Sequence, residues 1–326
     1  MNMSCKVSVV IPVYNEVGSL RKLTDRLLPV LESLGTHEVI FVNDGSTDGS
    51  TELLDEIHKQ HQTVIKVIHL RTNFGKAIAL QTGFNEACGQ FVAMMDADLQ
   101  DQPEDIPKLI KALENGLDAV TGWKVNRRDP WQKTIPSFGF NLFVRWFTGL
   151  QIHDFNCGLK AFRRECLESL NLYGQMHRFI IVFICRYGFK VGEVPTRHEP
   201  RRHGKSKYGL IRIYHGWFDI LTVFFITRYL HSPLYFFGFY AILAIGLGLG
   251  SGLFFLTMHI LARLSVVNPH WRFGSNSLWL SSPVLLFIGL MVVFFGLIGE
   301  LLTHYFATSV NYRLFIRKQL GPDSEE

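Results

Sequence analysis

The sequence predicts an α/β protein, a mostly parallel sheet covered by helices on both faces and followed by two membrane-spanning helices. Three observations lead there. Short β-rich apolar runs alternate with helical patterns up to about Gly122, polar motifs sit at the ends of those runs, and two long stretches after Pro233 are almost free of charge. Strands that alternate with helices are joined by crossovers, and crossovers give parallel sheets.

The predicted strands are Val7–Ile11, Glu38–Val42, Val64–Leu70, Phe91–Met95 and Ala119–Gly122, with helical periodicity over Val17–Leu34 and Thr51–Gln60. Asp129–Leu150 carries Trp131, Phe138, Phe140, Phe143, Trp146 and Phe147 with Lys133 and Arg145. That makeup suits an interfacial amphipathic helix and a buried core helix equally. Tyr208–Leu230 is similar, and its place directly before the first apolar stretch favours a helix on the membrane surface. Pro233–Met258 and Ser282–Leu302 each meet the roughly 20 apolar residues that a spanning helix needs. Gly246, Gly248, Gly250 and Gly252 resemble a nucleotide loop only superficially, because they lie inside an apolar span. Gly248 and Gly252 instead form a GxxxG spacing that lets helices approach closely.

The expected organisation is an α/β domain over 1–207, an amphipathic juxtamembrane helix over 208–232, two spans with a short connector over 233–304, and a tail over 305–326. Two spans return the tail to the side of the first domain. Arg313, Arg317 and Lys318 follow the second span, as the positive-inside tendency expects of a cytosolic face. The formal charge of +5 is concentrated at Arg197–Lys207 and in the tail, next to membrane-facing segments, which argues for lipid headgroups and against nucleic acid. Cys5, Cys88, Cys157, Cys166 and Cys185 are odd in number and lack CxxC spacing, so reduced cytosolic thiols are expected. No cleavable signal is expected, since a strand-like segment, Lys6–Pro12, comes almost at once.

The strongest local motif is Met95-Asp96-Ala97-Asp98-Leu99-Gln100, at the end of an apolar strand. Two carboxylates one residue apart can share a divalent cation and the phosphates it holds. Mg²⁺ or Mn²⁺ suits such hard oxygen ligands and neutralises a leaving diphosphate in glycosyl transfer. Taken alone, a solvated loop is the commoner origin of such a pair. Three further polar clusters supply context: Val9-Val-Ile-Pro-Val-Tyr-Asn-Glu16, Val42-Asn-Asp-Gly-Ser-Thr-Asp48 and Arg71-Thr-Asn-Phe-Gly-Lys76. Asp44 offers acceptors to a nucleobase or ribose, Gly45 and Ser46 permit a tight entry into a helix, and Lys76 brings a donor toward phosphate or base. Each cluster alone passes for turn and cap chemistry. Ligands of parallel sheets bind at the carboxyl ends of the strands, and all four clusters fall there.

The series VVIPVYNE, VNDGSTD, NFGK and DADLQ resembles family 2 glycosyltransferases of the GT-A, Rossmann-like fold. His153-Asp-Phe-Asn-Cys-Gly-Leu-Lys160, His177-Arg-Phe-Ile180 and Glu199-Pro-Arg-Arg-His-Gly-Lys-Ser-Lys-Tyr208 resemble its polyprenyl-phosphate branch. The resemblance implies that Pro12, Tyr14, Glu16 and Asp44 line the nucleoside pocket, with Lys76 and Asp96 also on the nucleotide sugar. Asp98 and Gln100 would sit at the metal, Asp154 matches the family's acidic residue near the acceptor, and Asp98 and Asp154 are the expected catalytic residues. Arg178, Arg201, Lys205, Ser206 and Lys207 would receive phosphate. Arginine suits a doubly charged lipid phosphate through its bidentate donors, while a juxtamembrane patch touching anionic lipid is the simpler alternative for the same cations. Trp123-Lys124 departs from the Arg of many relatives, which leaves Arg127 or Arg128 to supply the fork. Glu300, near the cytosolic end of the second span, is either functional or snorkels to the surface.

The implied activity is inverting transfer of a hexose-type sugar from a nucleotide sugar, UDP favoured, to polyprenyl (undecaprenyl) phosphate. It would take place on the cytosolic face of the inner membrane, in a homo-oligomer. Since the second pKa of a phosphate monoester is near 6, Asp154 either orients a group or acts as a base. A GDP-mannose-dependent polyprenyl-phosphate mannose synthase and an anchored transferase with a non-lipid acceptor are the alternatives. A processive synthase is disfavoured, because Leu142 replaces the glutamine of QxxRW before Arg145-Trp146. A non-catalytic membrane adaptor would not need Asp96, Asp98 and Asp154 together.

Overall fold

The sheet is built around β1 (Val7–Val13), a largely β-branched run buried on both faces, as a strand covered by helices on either side must be. The computed structural model describes residues 5–125, 139, 141–142, 144–146, 148–168, 170–172, 174, 176–197, 199, 225, 229, 232–272 and 277–307. The described residues up to 199 form one compact unit and those from 225 onward another.

In the first unit β1 is flanked by β2 (His37–Asn43) and β4 (Phe91–Met94), with β3 (Ile65–His69) beyond β2. These pairings are parallel, with Val13 opposite Asn43 and Val10 opposite Met94. Chain order thus reverses between β1 and β4, the position where such sheets open a ligand crevice. Beyond β4 come β6 (Lys160–Arg163), β5 (Ala119–Lys124) and β7 (Val191–Thr196), completing a sheet of seven strands. β6 is antiparallel to both β4 and β5, the one reversal in the sheet.

α1 (Val17–Glu32) buries Leu20, Leu23, Leu27 and Leu31, and α4 (Ile106–Glu114) buries Ile106, Leu109, Ile110 and Leu113. This spacing puts one apolar stripe on each helix. With α2 (Ser50–Gln60) they cover Val7, Val9, Ile11 and Val13. The opposite face is covered by α3 (Lys76–Glu86), whose Gly83 comes so close to the sheet that a Cβ there would lie 2.3 Å from Val10 Cγ1. Short helices α5 (Arg164–Glu168) and α6 (Ile180–Arg186) complete the unit.

The second unit contains α7 (Pro233–Arg263) and α8 (Ser281–Ala307), both long and apolar enough to cross a membrane. They run antiparallel in close contact. Cβ atoms at Gly248, Gly252 and Gly289 would meet Leu286, Ser282 and Ile245 at 2.9, 2.7 and 2.5 Å, so the GxxxG pair packs helices as expected. Ser282 Oγ donates to the Gly248 carbonyl at 2.7 Å. Glu300 accepts from the Leu234 N–H at 3.4 Å, where the first turn of α7 lacks intrahelical partners. Phe225 and Tyr229, the described residues of the expected surface helix, set their rings 5.6 and 5.0 Å from that of Phe236. The rest of that helix and most of 129–150 lie outside the described residues.

Replacing Gly83 by Ala gains helix propensity of about 1 kcal/mol, but overpacking against Val10 costs about 1–3 kcal/mol. A net loss of stability is expected on urea unfolding of Gly83→Ala. Stabilisation would show that α3 has room to withdraw from the sheet.

Candidate active site

The loops after β1 and β2 are stapled together before they can bind anything. Asn15 adopts a left-handed backbone, with φ of 58°, a conformation that asparagine tolerates better than most residues. Its side chain accepts from the Thr47 N–H at 2.7 Å, and its N–H donates to Ser46 Oγ at 3.0 Å. Asp48 accepts from the N–H groups of Val17 and Ser50, each at 3.1 Å, and from Ser50 Oγ at 2.5 Å. Burial raises the Asp48 pKa, but these donors outweigh it and hold the carboxyl below its ordinary value. Gly45 has φ of +67°, and a Cβ there would lie 2.6 Å from the Thr72 carbonyl carbon.

Asp44 links this pair of loops to a third. Its two oxygens accept from the N–H groups of Phe74 and Gly75 at 2.7 and 3.0 Å, fixing the turn that leads into α3. Burial raises its pKa, partly offset by those two donors. The carboxylate therefore shapes the pocket as well as lining it. The three loops and the DxD loop enclose an open cleft of about 330 Å³ lined by Pro12, Val13, Tyr14, Glu16, Asp44, Asn73, Gly75, Lys76, Asp96, Ala97 and Asp98. All six residues expected on the nucleotide sugar meet there, together with Asp98.

Charged side chains crowd the cleft and the 153–160 segment packed against its DxD loop. Lys76 Nζ donates to Asp96 Oδ1 at 2.5 Å, and Asp98 Oδ1 accepts from the Gln100 N–H at 3.1 Å. Leu99 between them is left-handed, with φ of 61°, a strained conformation for a non-glycine residue that is typical of functional loops. The 153–159 loop presses on this turn at Gly158, where a Cβ would lie 2.6 Å from Asp101 Oδ2 and 2.7 Å from Asp96 Oδ2. Asp101 is buried, with Lys124 Nζ 3.6 Å from its Oδ1. Asp154 is also buried, and its Oδ1 accepts from the Asn156 N–H at 3.0 Å. Lys160, fully enclosed, donates to the Cys157 carbonyl. Burial pulls its pKa down and Lys76 adds to that, while Asp154 and Asp96 oppose it. Burial, with the charge of Asp101, pushes the neighbouring Cys157 thiol up to about 12.

Two connections tie the DxD loop and the 3₁₀ turn after it to the chain leaving β7. The Glu199 N–H donates to the Gln100 carbonyl at 2.9 Å, and the Arg197 N–H donates to Asp105 Oδ2 at 2.7 Å. The loop is braced from behind by Arg26, which forks onto Glu104 at 2.7–3.0 Å. Arg178 ends a single 3₁₀ turn, Met176–Arg178. In that turn the Nδ1 of the partly exposed His177 is enclosed and has no hydrogen-bond partner. Burial, reinforced by Lys76, Arg178 and Lys160, holds the His177 pKa well below 6.5.

Arg128, Arg201, Lys205, Ser206 and Lys207 lie outside the described residues, as does Arg127. Gln100 is half-buried beside Asp98, contributing its backbone to the loop contacts above. Sequence reasoning missed Asp101, Lys160 and His177. Lys160 belongs to the same HDFNCGLK motif as Asp154, and its position at the head of a motif-bearing strand was the available signal. Lys124, read there only as a departure from Arg, faces Asp101.

A doubly wound sheet with an acidic cleft at its switch point defines a nucleotide-dependent α/β enzyme. The model of the family described as Glycosyl transferase family 2 matches residues 8–171, and the chain belongs to that family; it is a glycosyltransferase. It is 30% identical to the dodecaprenyl-phosphate galacturonate synthase of Rhizobium johnstonii over 328 residues, 99% of this chain and 95% of that protein. It is 32% identical to the undecaprenyl-phosphate 4-deoxy-4-formamido-L-arabinose transferase of Serratia proteamaculans over 318 residues, 97% of this chain and 94% of that protein. Among solved structures, glucosyl-3-phosphoglycerate synthase from Mycobacterium tuberculosis, in complex with Mn²⁺, UDP and glucosyl-3-phosphoglycerate, aligns with a TM-score of 0.53 at 20% identity. That match covers 68% of this chain and 80% of the other, and it shows the shared GT-A fold alone.

Gly158→Ala must displace Asp96, Asp101 or the loop itself. A misplacement near 1 Å costs about 10²-fold in rate, so a loss of that order is expected in a transfer assay; unchanged activity would show that the loop yields freely. His177 is neutral when folded and protonates when unfolded, so stability falls as pH drops below 6.5. The slope is at most about 1.4 kcal/mol per pH unit. Thermal unfolding between pH 7 and 5.5 should show a shallower decline for His177→Gln than for wild type; parallel declines would refute this.

Proposed function

We propose that the protein moves a sugar from a nucleoside diphosphate, UDP favoured, to the phosphate of a polyprenyl phosphate, inverting the anomeric carbon. The observation that carries this reading is the attachment of 197–199 to the DxD loop, through Glu199 to Gln100, and to the 3₁₀ turn after it, through Arg197 to Asp105. From there the sequence continues into Arg201, Lys205, Ser206 and Lys207, a set of cations and a hydroxyl suited to a phosphate headgroup. Both relatives described above are named for polyprenyl-phosphate chemistry, which supports the same acceptor. The sugars in those names differ, so the donor is left to experiment.

The carboxylates of Asp96 and Asp98 in an open cleft are hard donors that fit Mg²⁺ or Mn²⁺. Asp98, with Gln100, would hold the ion, which when bound offsets negative charge on the leaving diphosphate. The protein's own groups do the rest. Lys76 neutralises Asp96 and brings a second positive charge to the phosphates. Pro12, Tyr14, Glu16 and Asp44 receive the nucleoside. Arg178, Arg128 and the basic loop receive the acceptor. A phosphate dianion is already a nucleophile at neutral pH, so Asp154 serves to orient cations near the reacting phosphate. The catalytic domain, 1–207, would work on the cytosolic face of the inner membrane. The 208–232 helix would lie on that surface, 233–304 would cross the bilayer twice, and 305–326 would return to the cytosol.

The test is transfer from a panel of radiolabelled UDP- and GDP-sugars to undecaprenyl phosphate, beside a soluble hydroxyl acceptor. A lipid-linked product from one donor is expected, abolished by EDTA and reduced about 10²-fold or more in Asp98→Asn, a loss typical of removing electrostatic stabilisation. No lipid-linked product from any donor would overturn the acceptor. Full activity with EDTA or in Asp98→Asn would remove the metal.

A further inference from the structure

The edge of the sheet opposite the cleft holds a second group of metal-binding side chains. Cys5 lies two residues before β1, Glu38 is the second residue of β2, and Cys88 lies in the connection from α3 to β4. The parallel pairing of these strands brings their amino ends together, and one ligand atom from each of the three residues lies within 4.8 Å of the other two. We infer that Cys5, Glu38 and Cys88 form a binding site for a zinc-class divalent cation that ties the amino ends of β1, β2 and β4 together.

The surroundings hold the donors in place. Glu38 Oε1 accepts from Ser8 Oγ at 2.5 Å, from the Cys88 N–H at 2.7 Å and from Cys88 Sγ at 3.1 Å. Ser8 Oγ in turn accepts from the Gly89 N–H at 2.8 Å. Gly89 has no room for a side chain, since a Cβ would lie 2.6 Å from Ser8 N, so the turn carrying Cys88 is clamped against β1. Outer hydrogen bonds of this kind orient metal ligands and raise affinity. Two sulfurs and one carboxylate oxygen select a borderline-soft ion such as Zn²⁺ over Mg²⁺. That distinguishes this edge from the all-oxygen DxD loop. Cys88 is exposed, which leaves a fourth coordination position to water.

The full-length protein in detergent, reduced and with excess Mg²⁺ to fill oxygen sites, is titrated with Co²⁺ as the spectroscopic probe. A thiolate-to-cobalt charge-transfer band saturating at one equivalent and bleached by Zn²⁺ is expected. It should vanish in Cys5→Ser and Cys88→Ser and persist in Cys185→Ser. Ser8→Ala should weaken Zn²⁺ binding about tenfold, as loss of an outer-shell partner does. Transfer activity of the cysteine variants, which lie away from the cleft, reports that they are folded. On the wild type, Zn²⁺ should protect Cys5 and Cys88, and not Cys185, from alkylation. No charge-transfer band, a band that survives in the Cys5→Ser/Cys88→Ser double variant, or equal alkylation with and without Zn²⁺ would overturn the site.

Discussion

The cleft depends on setting buried and half-buried carboxylates beside lysines. Asp96 and Asp101 meet at Gly158; Lys76 on α3 pairs with Asp96, Lys124 on β5 lies beside Asp101, and Lys160 on β6 feels the charges of Asp154 and Asp96. Enclosing an unpaired ion costs several kcal/mol, so this balance constrains every element that contributes a charge. The reversal of β6 is what makes it possible. An antiparallel strand begins where its neighbour ends, and Lys160 lies opposite Met94, just before the DxD loop. The 153–159 loop therefore reaches the carboxyl edge of the sheet without a crossover helix, delivering Asp154, Gly158 and Lys160 together.

A second layer of constraint comes from residues of the polar motifs, of which Asp44 reads in sequence as a ligand contact. Asn15, Asp44 and Asp48 spend much of their hydrogen-bonding capacity on the backbones of neighbouring loops. The pocket is thus preorganised by the same side chains that shape its walls, which is how a site holds its geometry when empty. A substitution at Asp44 acts on the turn into α3 as well as on any nucleoside. Stability and binding must both be measured before such a residue is given a purely recognitional role.

The parallel half of the fold was legible because its signals are local. β1, β2 and β4 are apolar runs, and each ends in a polar motif. α1 announces itself through leucines at helical spacing. The other half was less legible for physical reasons. β6 is four residues long and begins and ends with a basic residue, Lys160 and Arg163, while β7 carries Gly192 and Pro195. Neither resembles a strand by composition, and tertiary pairing overrides that bias. In the site, Asp96 and Asp98 were visible as a pair. Asp101 and Lys160 were not, because a buried ion is recognised by its partners, and those partners are distant in sequence. The fork from Arg26 to Glu104 is hidden for the same reason. The proximity of Cys5 and Cys88 was hidden as well, because only the strand pairing brings them together.

The chemistry of the proposed acceptor explains the composition of the floor. A hydroxyl nucleophile would call for a general base, which a carboxylate or a histidine can supply. No histidine lines the described cleft. His153 is paired with Glu193 and stacked on Trp123, and His177 is held neutral by burial and by the cations around it. A phosphate nucleophile makes a different demand. It brings negative charge toward a donor that already carries a diphosphate, so the site has to manage repulsion more than move a proton. Lysines set among carboxylates do that, because the acids hold the lysines in place while the lysines draw the phosphates in. On that proposal, the buried Lys160 and the carboxylate of Asp154 are parts of one device.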